Sequence, residues 1–528
     1  MKRELFSFSG GIRFDDYHKR QSTRQPVVAT PLPSRLVLPL HQHIGEGGEA
    51  VVQAGDKVLK GQLIAKAVSY VSAPLHAPTS GTVVKVGDER VPHPSGLSAP
   101  CIVIEPDGED TWAPRQSHAR DYAEMNPSAL RNLIREAGIV GLGGAGFPSY
   151  VKLNPGHHPV DTLILNGAEC EPYITCDDML MRQRADEIVK GSLIIRHALG
   201  TRQTLIAIED NKPEAIAAMR DAVQRLAPQH TEVVSVPTLY PAGGEKQLIY
   251  TLTGKEVPGD GLPVHIGVVC QNVATTGAIF RAVYHGEPLL SRWLTVTGGV
   301  AEPRNLEVLL GTPVDELIRF CGGEPAHCRR IIMGGPMMGF ALHDHHLPVI
   351  KTTNCILVDD GQQAALAGRQ YAMPCIRCGA CADACPVRLL PQQLYWYAQA
   401  GEFDRCQEYH LFDCIECGCC DYVCPAHLPL VQYYRYAKGE IWQRERERQQ
   451  AELARQRHEF RLFRLEREKQ ERAAKRQQKK AALAKDGAAK GDAQAKQAAI
   501  QAALERVKAK KAQQARQAGD DASRKDES

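Results

Sequence analysis

The sequence predicts a multidomain protein that mixes the α/β and α+β classes. Its 528 residues exceed one compact core, and a hydrophobic fraction of 43 % is enough for several packed domains. Strand and helix patterns alternate after residue 126, and two cysteine runs follow residue 374. The predicted domains are an N-terminal barrel-sandwich hybrid at 1–125, a Rossmann-like α/β domain at 126–285, a β-grasp domain at 286–360, an α-helical cysteine module at 365–436, and a charged, partly helical tail at 437–528.

Residues 41–106 are predicted to form a small β-sandwich, because glycine and proline residues separate short apolar segments. It resembles the barrel-sandwich domains that carry lipoyl or biotinyl groups. Those domains display a modifiable lysine shortly before an A-P-x-x-G turn, which Ala77–Gly81 matches here. Tyr70 stands near that place and Lys66 lies too far upstream. A purely structural sandwich is therefore favoured over a modified one.

The central region alternates helical and buried-strand patterns, which indicates a largely parallel sheet. The predicted elements are a helix at Pro127–Ala137, a strand at Thr162–Asn166, a helix at Ala185–Leu199, a strand at Thr204–Ile208, a helix at Pro213–Leu226 and a strand at Val233–Val236. Residues 293–360 follow with strands, a turn and the short helix PVDELIRF. This pattern is typical of a β-grasp domain.

Eight cysteines form two motifs of identical spacing, Cys375-x2-Cys378-x2-Cys381-x3-Cys385-Pro386 and Cys414-x2-Cys417-x2-Cys420-x3-Cys424-Pro425. The first three cysteines of such a motif bind one cubane, and the cysteine before proline binds the other cluster. The spacing predicts two [4Fe–4S] clusters in a ferredoxin-like module. We call Cys375, Cys378, Cys381 and Cys424 the first quartet, and Cys385, Cys414, Cys417 and Cys420 the second quartet.

A zinc site is the alternative for CxxC pairs, but it explains neither the third cysteine nor the Cys-Pro ending, and both features occur in each of the two motifs. Cys419 is adjacent to a predicted ligand, and the spacing favours Cys420 instead. The stretch between the two motifs has a helical pattern and predicts an α-helical ferredoxin module. The other cysteines lack ligand spacing and are expected to be mostly buried small hydrophobes: Cys101, Cys170, Cys176, Cys270, Cys321, Cys328, Cys355 and Cys406.

A glycine-rich loop contains Gly141, Gly143, Gly144 and Gly146. Such a loop can bring backbone amides against a phosphate without interference from Cβ atoms, although a tight turn alone would use the same residues. The stretches GLGGAGFPSYVK, LNGAECEP, AGGEKQLIYTLTG and QNVAT then occur in order. This series resembles the flavin-bearing, NADH-oxidising subunit of respiratory complex I. The segment TVTGGVAEPRNLEVLLGTPVDELI is similar to that subunit's β-grasp (SLBB) domain.

The whole domain order resembles the C subunits of the Rnf/Rsx electron transport complexes. The resemblance implies FMN surrounded by Gly141, Gly143, Gly144, Gly146, Lys152, Asn166, Glu169 and Asn272. It also implies NADH in contact with Phe147, Glu171 and Glu245. Two positions depart from the complex I pattern, since Ala168 and Gly244 stand where acidic residues are expected.

The resemblance implies a peripheral subunit that couples electron transfer between NADH and ferredoxin, or a similar acceptor, to ion translocation. Electrons would pass through FMN to the two [4Fe–4S] clusters. A flavin-free iron–sulfur relay in the same type of complex is the alternative. A soluble flavin-dependent dehydrogenase is less favoured, because nothing in the sequence recognises an organic substrate. The expected partners are the other subunits of a membrane-embedded complex and a ferredoxin-like protein.

The tail is basic, with 24 Lys and Arg against 14 Asp and Glu from residue 441 onward, whereas the preceding residues are net acidic. It could dock on anionic lipid or serve as a solvated spacer. Nucleic acid is not an expected partner, because the tail has few aromatic residues for stacking. No apolar run reaches membrane-spanning or signal-peptide length. The resemblance to the Rnf/Rsx subunits implies a location at the cytoplasmic face of the bacterial inner membrane.

Overall fold

The computed structural model describes residues 3–259, 261–361, 372–489 and 493–522. The chain divides into two compact units, Met1–Glu440 and Ile441–Ser528. The predicted start of the cysteine module, at residue 365, lies outside the described residues. The first unit holds two β-rich domains, an α/β layer and the cysteine module, and the described residues of the second unit are helical.

The N-terminal domain is a sandwich of short strands around an aliphatic core in which Leu36, Ile64 and Ile104 are fully buried. Its sheets have the strand orders β2-β8-β7-β4 and β3-β5-β6, and all of their pairings are antiparallel. The strands up to residue 106 are β1 (Val28–Ala29), β2 (Leu36–Pro39), β3 (Glu49–Ala50), β4 (Lys57–Val58), β5 (Leu63–Lys66), β6 (Leu75–His76), β7 (Gly81–Arg90) and β8 (Ser98–Pro106).

The α/β layer follows. Proline in the first turn starts α1 and α5, and left-handed glycines end α4 and α7 at Gly200 and Gly286. Its elements are α1 (Pro127–Glu136), α2 (Ser149–Lys152), β9 (Thr162–Gly167), α3 (Cys176–Gln183), α4 (Ala185–Leu199), β10 (Gln203–Glu209), α5 (Pro213–Leu226), β11 (Thr231–Val236), α6 (Glu245–Thr253), a 3₁₀ turn (Pro263–Ile266), β12 (Val268–Asn272) and α7 (Val273–His285).

The sheet of this layer is parallel throughout and has the order β11-β10-β9-β12. The chain runs outward from β9 to β10 and β11 and then returns to the other side of β9 as β12. The strand order therefore reverses between β9 and β12. In open α/β sheets, ligands bind in the crevice outside the carboxyl ends of the strands at such a reversal. Asn166 of β9 pairs in register with Asn272 at the end of β12, so both residues lie at this edge.

The β-grasp domain has a mixed sheet of order β1-β14-β13-β17-β15-β16. The N-terminal strand β1 joins it by pairing in parallel with β14. Helix α8 covers the sheet through the buried residues Val314, Leu317 and Ile318. The elements are β13 (Ser291–Gly298), β14 (Arg304–Leu309), α8 (Val314–Phe320), β15 (Arg330–Met333), β16 (Phe340–Ala341) and β17 (Cys355–Asp359).

The cysteine module is helical, as the sequence predicts. A one-turn helix follows the second cysteine of each motif, and two helices with a 3₁₀ turn connect the motifs. Its elements are α9 (Ala380–Asp383), α10 (Pro391–Ala400), α11 (Phe403–Glu408), a 3₁₀ turn (Leu411–Asp413), α12 (Cys419–Tyr422) and the start of α13 (Leu430–Ala489). The rest of α13 and α14 (Ala493–Ala522) belong to the second unit. None of the helices among the described residues combines the length and apolar character needed to cross a bilayer.

The α/β core contains an ion pair between Lys212 and Glu209, whose side chains are both 0 % exposed. The Lys212 ammonium also donates to the carbonyl oxygen of Glu169 at 3.3 Å and to Asn211 Oδ1 at 3.0 Å. Burial, the largest single effect, would lower the pKa of Lys212, but the carboxylates of Glu209, Glu169 and Asp178 together outweigh burial and raise that pKa. The lysine is therefore charged, and it neutralises the buried carboxylate.

Replacing Lys212 with methionine is expected to lower the free energy of unfolding by about 3–5 kcal/mol, because Glu209 would remain as a buried charge without a counter-ion. Urea denaturation followed by circular dichroism measures this loss. The matched control is the double variant Lys212→Met with Glu209→Leu, which should recover most of the stability because an apolar pair replaces the ions. Equal stability of the wild type and the single variant would contradict the assigned pairing.

Candidate functional site

The glycine-rich loop is a closed turn with an exposed tip. The amide of Gly141 donates to the Phe147 carbonyl at 2.7 Å, and the amide of Gly146 donates to the Gly141 carbonyl at 3.1 Å. Gly144 has a φ of +106°, which residues with a side chain rarely adopt. Within the described part of the chain, the amides of Gly143 and Gly144 have no protein partner, and both residues are exposed. Free amides at a loop tip fit a phosphate group.

Two asparagines at the strand ends lie beside this loop. Asn166 Nδ2 donates to the carbonyl oxygen of Gly243 at 2.8 Å. Asn272 caps α7, since its Oδ1 accepts the amide of Ala274 at 2.8 Å. A Cβ atom at Gly143 would lie 3.3 Å from Asn272 Nδ2, so the glycine loop comes close to the asparagine. The switch point therefore brings together loop amides and two side-chain amides, which suits the phosphate and the polar ring edge of a flavin.

Lys152 supplies a positive charge near the same strand end. Its Nζ donates to Glu245 Oε2 at 2.6 Å and to the carbonyl oxygen of Cys270 in β12 at 3.3 Å. Glu245 is the first residue of α6 and lies at the positive end of that helix. Both side chains remain partly exposed, so the lysine can also reach an incoming phosphate.

Glu169 contacts the N-terminus of α3. Its carboxylate accepts the amides of Asp177 at 2.8 Å and Asp178 at 3.3 Å, and burial raises its pKa. Asp177 in turn accepts a hydrogen bond from Asn272 Nδ2 at 2.6 Å. Burial, and then the Glu169 charge, raise the pKa of Asp177 to about 7. Glu169 therefore acts on the crevice through Asp177 and Asn272 and positions the asparagine.

Glu171 makes a contact between domains. Its Oε1 accepts the amides of Met337 at 2.7 Å and Met338 at 2.9 Å, and the hydroxyl oxygen of Tyr240 lies 3.4 Å from its Oε2. Both methionines belong to the β-grasp domain, and burial raises the pKa of Glu171. The carboxylate is thus engaged by protein groups. Phe147, the other predicted NADH contact on this side, is half-buried in the glycine loop.

Two buried basic residues that the sequence does not mark as site residues bind the start of the glycine loop. Arg292 donates to the carbonyl oxygens of Leu142 and Lys351, both at 2.8 Å. The Lys351 ammonium donates to the carbonyl oxygens of Gly138 at 2.7 Å and Pro74 at 2.8 Å. Burial lowers the pKa of Lys351 to about 7. Arg292 and Lys351 therefore join the start of this loop to the β-grasp domain and, through Pro74, to the N-terminal domain. No local sequence motif marks either residue.

The eight motif cysteines line two separate cavities. A cavity of about 480 Å³ is lined by all four cysteines of the first quartet and by Trp396. A cavity of about 20 Å³ is lined by all four cysteines of the second quartet, with Cys419 and Tyr434. The fourth cysteine of each motif thus joins the three-cysteine run of the other motif. This arrangement fits two [4Fe–4S] clusters with crossed ligation.

The two motifs also share one backbone conformation. Arg377 and Glu416, at equivalent positions, both have a φ of +57°, and Gly379 and Gly418 have φ values of +83° and +77°. In each motif the residue two after the first cysteine donates its amide to that cysteine's sulfur at 3.4 Å. Amide donors to thiolate sulfurs tune and stabilise iron–sulfur ligation. The repeated geometry indicates two sites of the same kind.

Most of the remaining cysteines are buried, as predicted, and Cys170 and Cys328 are the two that are only partly buried. The fold and the site together define a class of protein: an iron–sulfur protein with a flavin-type α/β domain.

The comparisons with known families divide the chain in the same order. Residues 6–109 match the RnfC barrel-sandwich hybrid domain, and residues 134–281 match the Nuo51 FMN-binding domain. Residues 294–341 match the SLBB domain, and residues 374–428 match the 4Fe-4S dicluster domain. These matches confirm the predicted kinds of domain and the prediction of FMN and [4Fe–4S] clusters as cofactors.

Curated relatives of the chain are named as C subunits of ion-translocating oxidoreductase complexes. The chain is 50 % identical over 513 residues to the C subunit of an ion-translocating oxidoreductase complex from Vibrio cholerae, covering 97 % of this chain and 65 % of that protein. It is 49 % identical over 464 residues to the C subunit of the same name from Pseudomonas aeruginosa, covering 87 % of this chain and 59 % of that protein. The chain belongs to this family of C subunits, and it spans about 65 % of the length of the first of these relatives.

Among solved structures, an NAD⁺-reducing [NiFe]-hydrogenase in the H₂-reduced state is similar over 58 % of this chain and 61 % of that chain. The sequence identity is 20 % and the TM-score is 0.45.

Crossed ligation makes a prediction for single cysteine variants. Cys385→Ala and Cys414→Ala should both abolish the same cluster signal in electron paramagnetic resonance (EPR) spectra, because both remove a ligand of the second quartet. Cys424→Ala should abolish the other signal. Cys419→Ala is the matched control and should retain both signals. Loss of different signals in Cys385→Ala and Cys414→Ala would rule out the crossed arrangement.

The lowered pKa of Lys351 predicts how the free energy of unfolding varies with pH. Its pKa falls from 10.5 in the unfolded chain to about 7 in the fold, so the unfolded chain binds more protons between these values. The free energy of unfolding should rise with pH in this window, by up to about 1.4 kcal/mol per pH unit. Lys351→Met removes this contribution. Urea denaturation of both proteins at pH 7, 8 and 9 measures it, and a difference that does not change with pH would refute it.

Proposed function

We propose that the chain is the peripheral subunit of an ion-translocating oxidoreductase complex and carries electrons between NADH and one-electron acceptors. The observation that carries this proposal is that one compact unit combines the reversal of strand order at Asn166 and Asn272 with two complete cysteine quartets. The family membership supports it. The residues at the strand-order reversal would hold FMN, and the two quartets would hold the [4Fe–4S] clusters that carry the electrons onward.

The residues of the crevice have separate tasks. The free amides of Gly143 and Gly144 bind the FMN phosphate, with Gly141 and Gly146 closing the turn, and Lys152 neutralises the phosphate charge. Asn166 and Asn272 orient the edge of the ring system, and Glu169 holds Asn272 in place through Asp177. When bound, FMN converts the two-electron chemistry of NADH into one-electron transfer to iron–sulfur clusters.

The NADH contacts lie at the same edge. Phe147 supplies an aromatic face beside the loop, and Glu245 supplies a hydrogen-bond acceptor at the start of α6. Glu171, which the resemblance also places near NADH, accepts two backbone amides on Oε1, and its Oε2 lies 3.4 Å from the Tyr240 hydroxyl. Its part in the proposal is therefore to join the flavin domain to the β-grasp domain.

The partners belong to the same proposal. Other subunits of the complex accept the electrons and carry the ions, and ferredoxin or a similar redox protein is the final acceptor. The subunit works at the cytoplasmic face of the bacterial inner membrane. The basic tail from residue 441 onward would be attracted to anionic lipid there.

A flavin-free relay is the second candidate. It is favoured by the engagement of Glu169 and Glu171 with protein amides, and by Ala168 and Gly244 at positions where complex I has acidic residues. In that case the α/β layer would serve as scaffold, and the clusters would exchange electrons with partner proteins on both sides.

Gly143→Val separates the two candidates. The new side chain starts 3.3 Å from Asn272 and covers the free amides, so we expect FMN affinity to fall at least tenfold. The full chain is reconstituted anaerobically, acid-extractable FMN is quantified, and EPR spectra are recorded before and after NADH. Gly277→Ala is the matched control, because a Cβ there meets nothing within 4 Å.

The wild type and the control should hold about one FMN per chain and show clusters reduced by NADH, as expected of a one-site flavin domain. Gly143→Val should retain its clusters but lose FMN and the response to NADH. Full cluster content without flavin in the wild type, and no response to NADH, would overturn the proposal in favour of the relay.

A further inference from the structure

We propose that the second quartet is the entry site for electrons from the flavin domain, that the first quartet is the exit site toward the acceptor, and that Tyr240 positions the entry site. This order rests on the proposed function and adds to it the direction in which electrons move between the two quartets. It follows from the contacts of each quartet with the rest of the first unit and from their exposure to solvent.

Tyr240 connects the flavin domain directly to the second quartet. It lies in the loop after β11, is fully buried, and donates its hydroxyl to the backbone carbonyl of Cys417 at 2.6 Å. The same hydroxyl lies 3.4 Å from Glu171 Oε2. Glu171 stands on the segment after β9, which leaves the sheet at the crevice edge. One side chain thus joins a cluster-ligand backbone to the flavin side of the molecule.

The N-terminal segment closes the same contact. Ile12 and Tyr240 exchange backbone hydrogen bonds at 2.7 and 3.0 Å, and the amide of Gly11 donates to the carbonyl of Ala384 at 3.0 Å. Ala384 immediately precedes a cysteine of the second quartet. Phe14 packs against Tyr240 and Tyr422, with ring centroids 5.7 and 5.1 Å apart. The second quartet is therefore enclosed by the flavin domain and by a segment that contacts both.

The β-grasp domain completes the enclosure. A Cβ atom at Gly418 would lie 3.0 Å from the carbonyl oxygen of Met337, so the second motif touches the loop that Glu171 binds. Cys385, Cys417 and Cys420 are each at most 8 % exposed. An enclosed site of this kind can exchange electrons readily with the domain that covers it and only slowly with a separate protein.

The first quartet is more open to solvent than the second quartet. Cys378 is exposed, and the large apolar residues next to it are exposed as well, at 67 % for Ile376, 59 % for Met373 and 47 % for Trp396. Its cavity of about 480 Å³ lies at this face. A cluster held there is within reach of a redox protein that docks from solvent. The electron balance is simple: oxidation of NADH to NAD⁺ and H⁺ releases two electrons, one for each quartet.

The test uses the full chain with FMN and both clusters. In Cys378→Ala, NADH should still reduce the cluster of the second quartet at the wild-type rate, seen by rapid-freeze EPR, while cluster-mediated electron transfer to an added one-electron acceptor protein, cytochrome c, is lost. If NADH reduces the flavin of this variant but no longer reduces that cluster, the order is overturned. A wild type that does not respond to NADH at all fails the proposed function instead, and the next measurement then still tests the order.

Iron release tests the order without any turnover. A bulky anionic chelator added to the wild type should first remove the EPR signal that Cys378→Ala lacks, because the first quartet faces solvent. Earlier loss of the other signal would overturn the assignment.

Tyr240→Phe tests the positioning role. It should slow NADH-driven cluster reduction several-fold and shift the midpoint potential of the second-quartet cluster alone, whereas Tyr250→Phe on α6 should leave both unchanged. An unchanged rate and potential in Tyr240→Phe would remove Tyr240 from the proposal.

Discussion

The domains of the first unit depend on how lysine ammonium groups bind the backbone of the segment that follows β9. Lys19 Nζ donates to the carbonyl oxygens of Glu169, Glu171 and Ile174 at 2.7, 2.9 and 2.7 Å. Burial lowers the pKa of Lys19, and three carbonyl acceptors compensate the desolvated amine. With the backbone of this segment fixed, the Glu169 side chain holds α3 and the Glu171 side chain holds the β-grasp loop. One short segment thus sets both the flavin crevice and the contact that reaches the second quartet through Tyr240.

Local patterns predicted much of the fold. The helices at Ala185–Leu199 and Pro213–Leu226 have the predicted limits, because apolar spacing, an initial proline and a terminal glycine act within a few residues. The predicted strand at Thr162–Asn166 is one residue longer in the structure. The cysteine quartets were equally predictable, since ligand spacing is a local property and the Cys-Pro ending specifies the crossing. The glycine loop could be found in the sequence, but its position beside Asn272 depends on the strand order.

Contacts between residues far apart in the chain could not be predicted in this way. Strand β1 joins the β-grasp sheet although it precedes the sandwich, and Arg292 and Lys351 hold a loop about 150 and 210 residues away. Nothing in the neighbouring sequence of these residues signals a partner. The engagement of Glu171 with backbone amides is of the same kind, because a family pattern gives the position of a carboxylate but not the donors that the fold presents to it.

The central claim is that the flavin crevice and the cysteine module form one electron path within the chain. Anaerobic stopped-flow mixing with NADH, followed at the flavin and cluster absorbances, tests it most directly. Flavin reduction should come first, and cluster bleaching should follow in the same reaction without any added protein. Reduced flavin beside clusters that stay oxidised until dithionite is added would show that the path is not continuous, and would contradict the account.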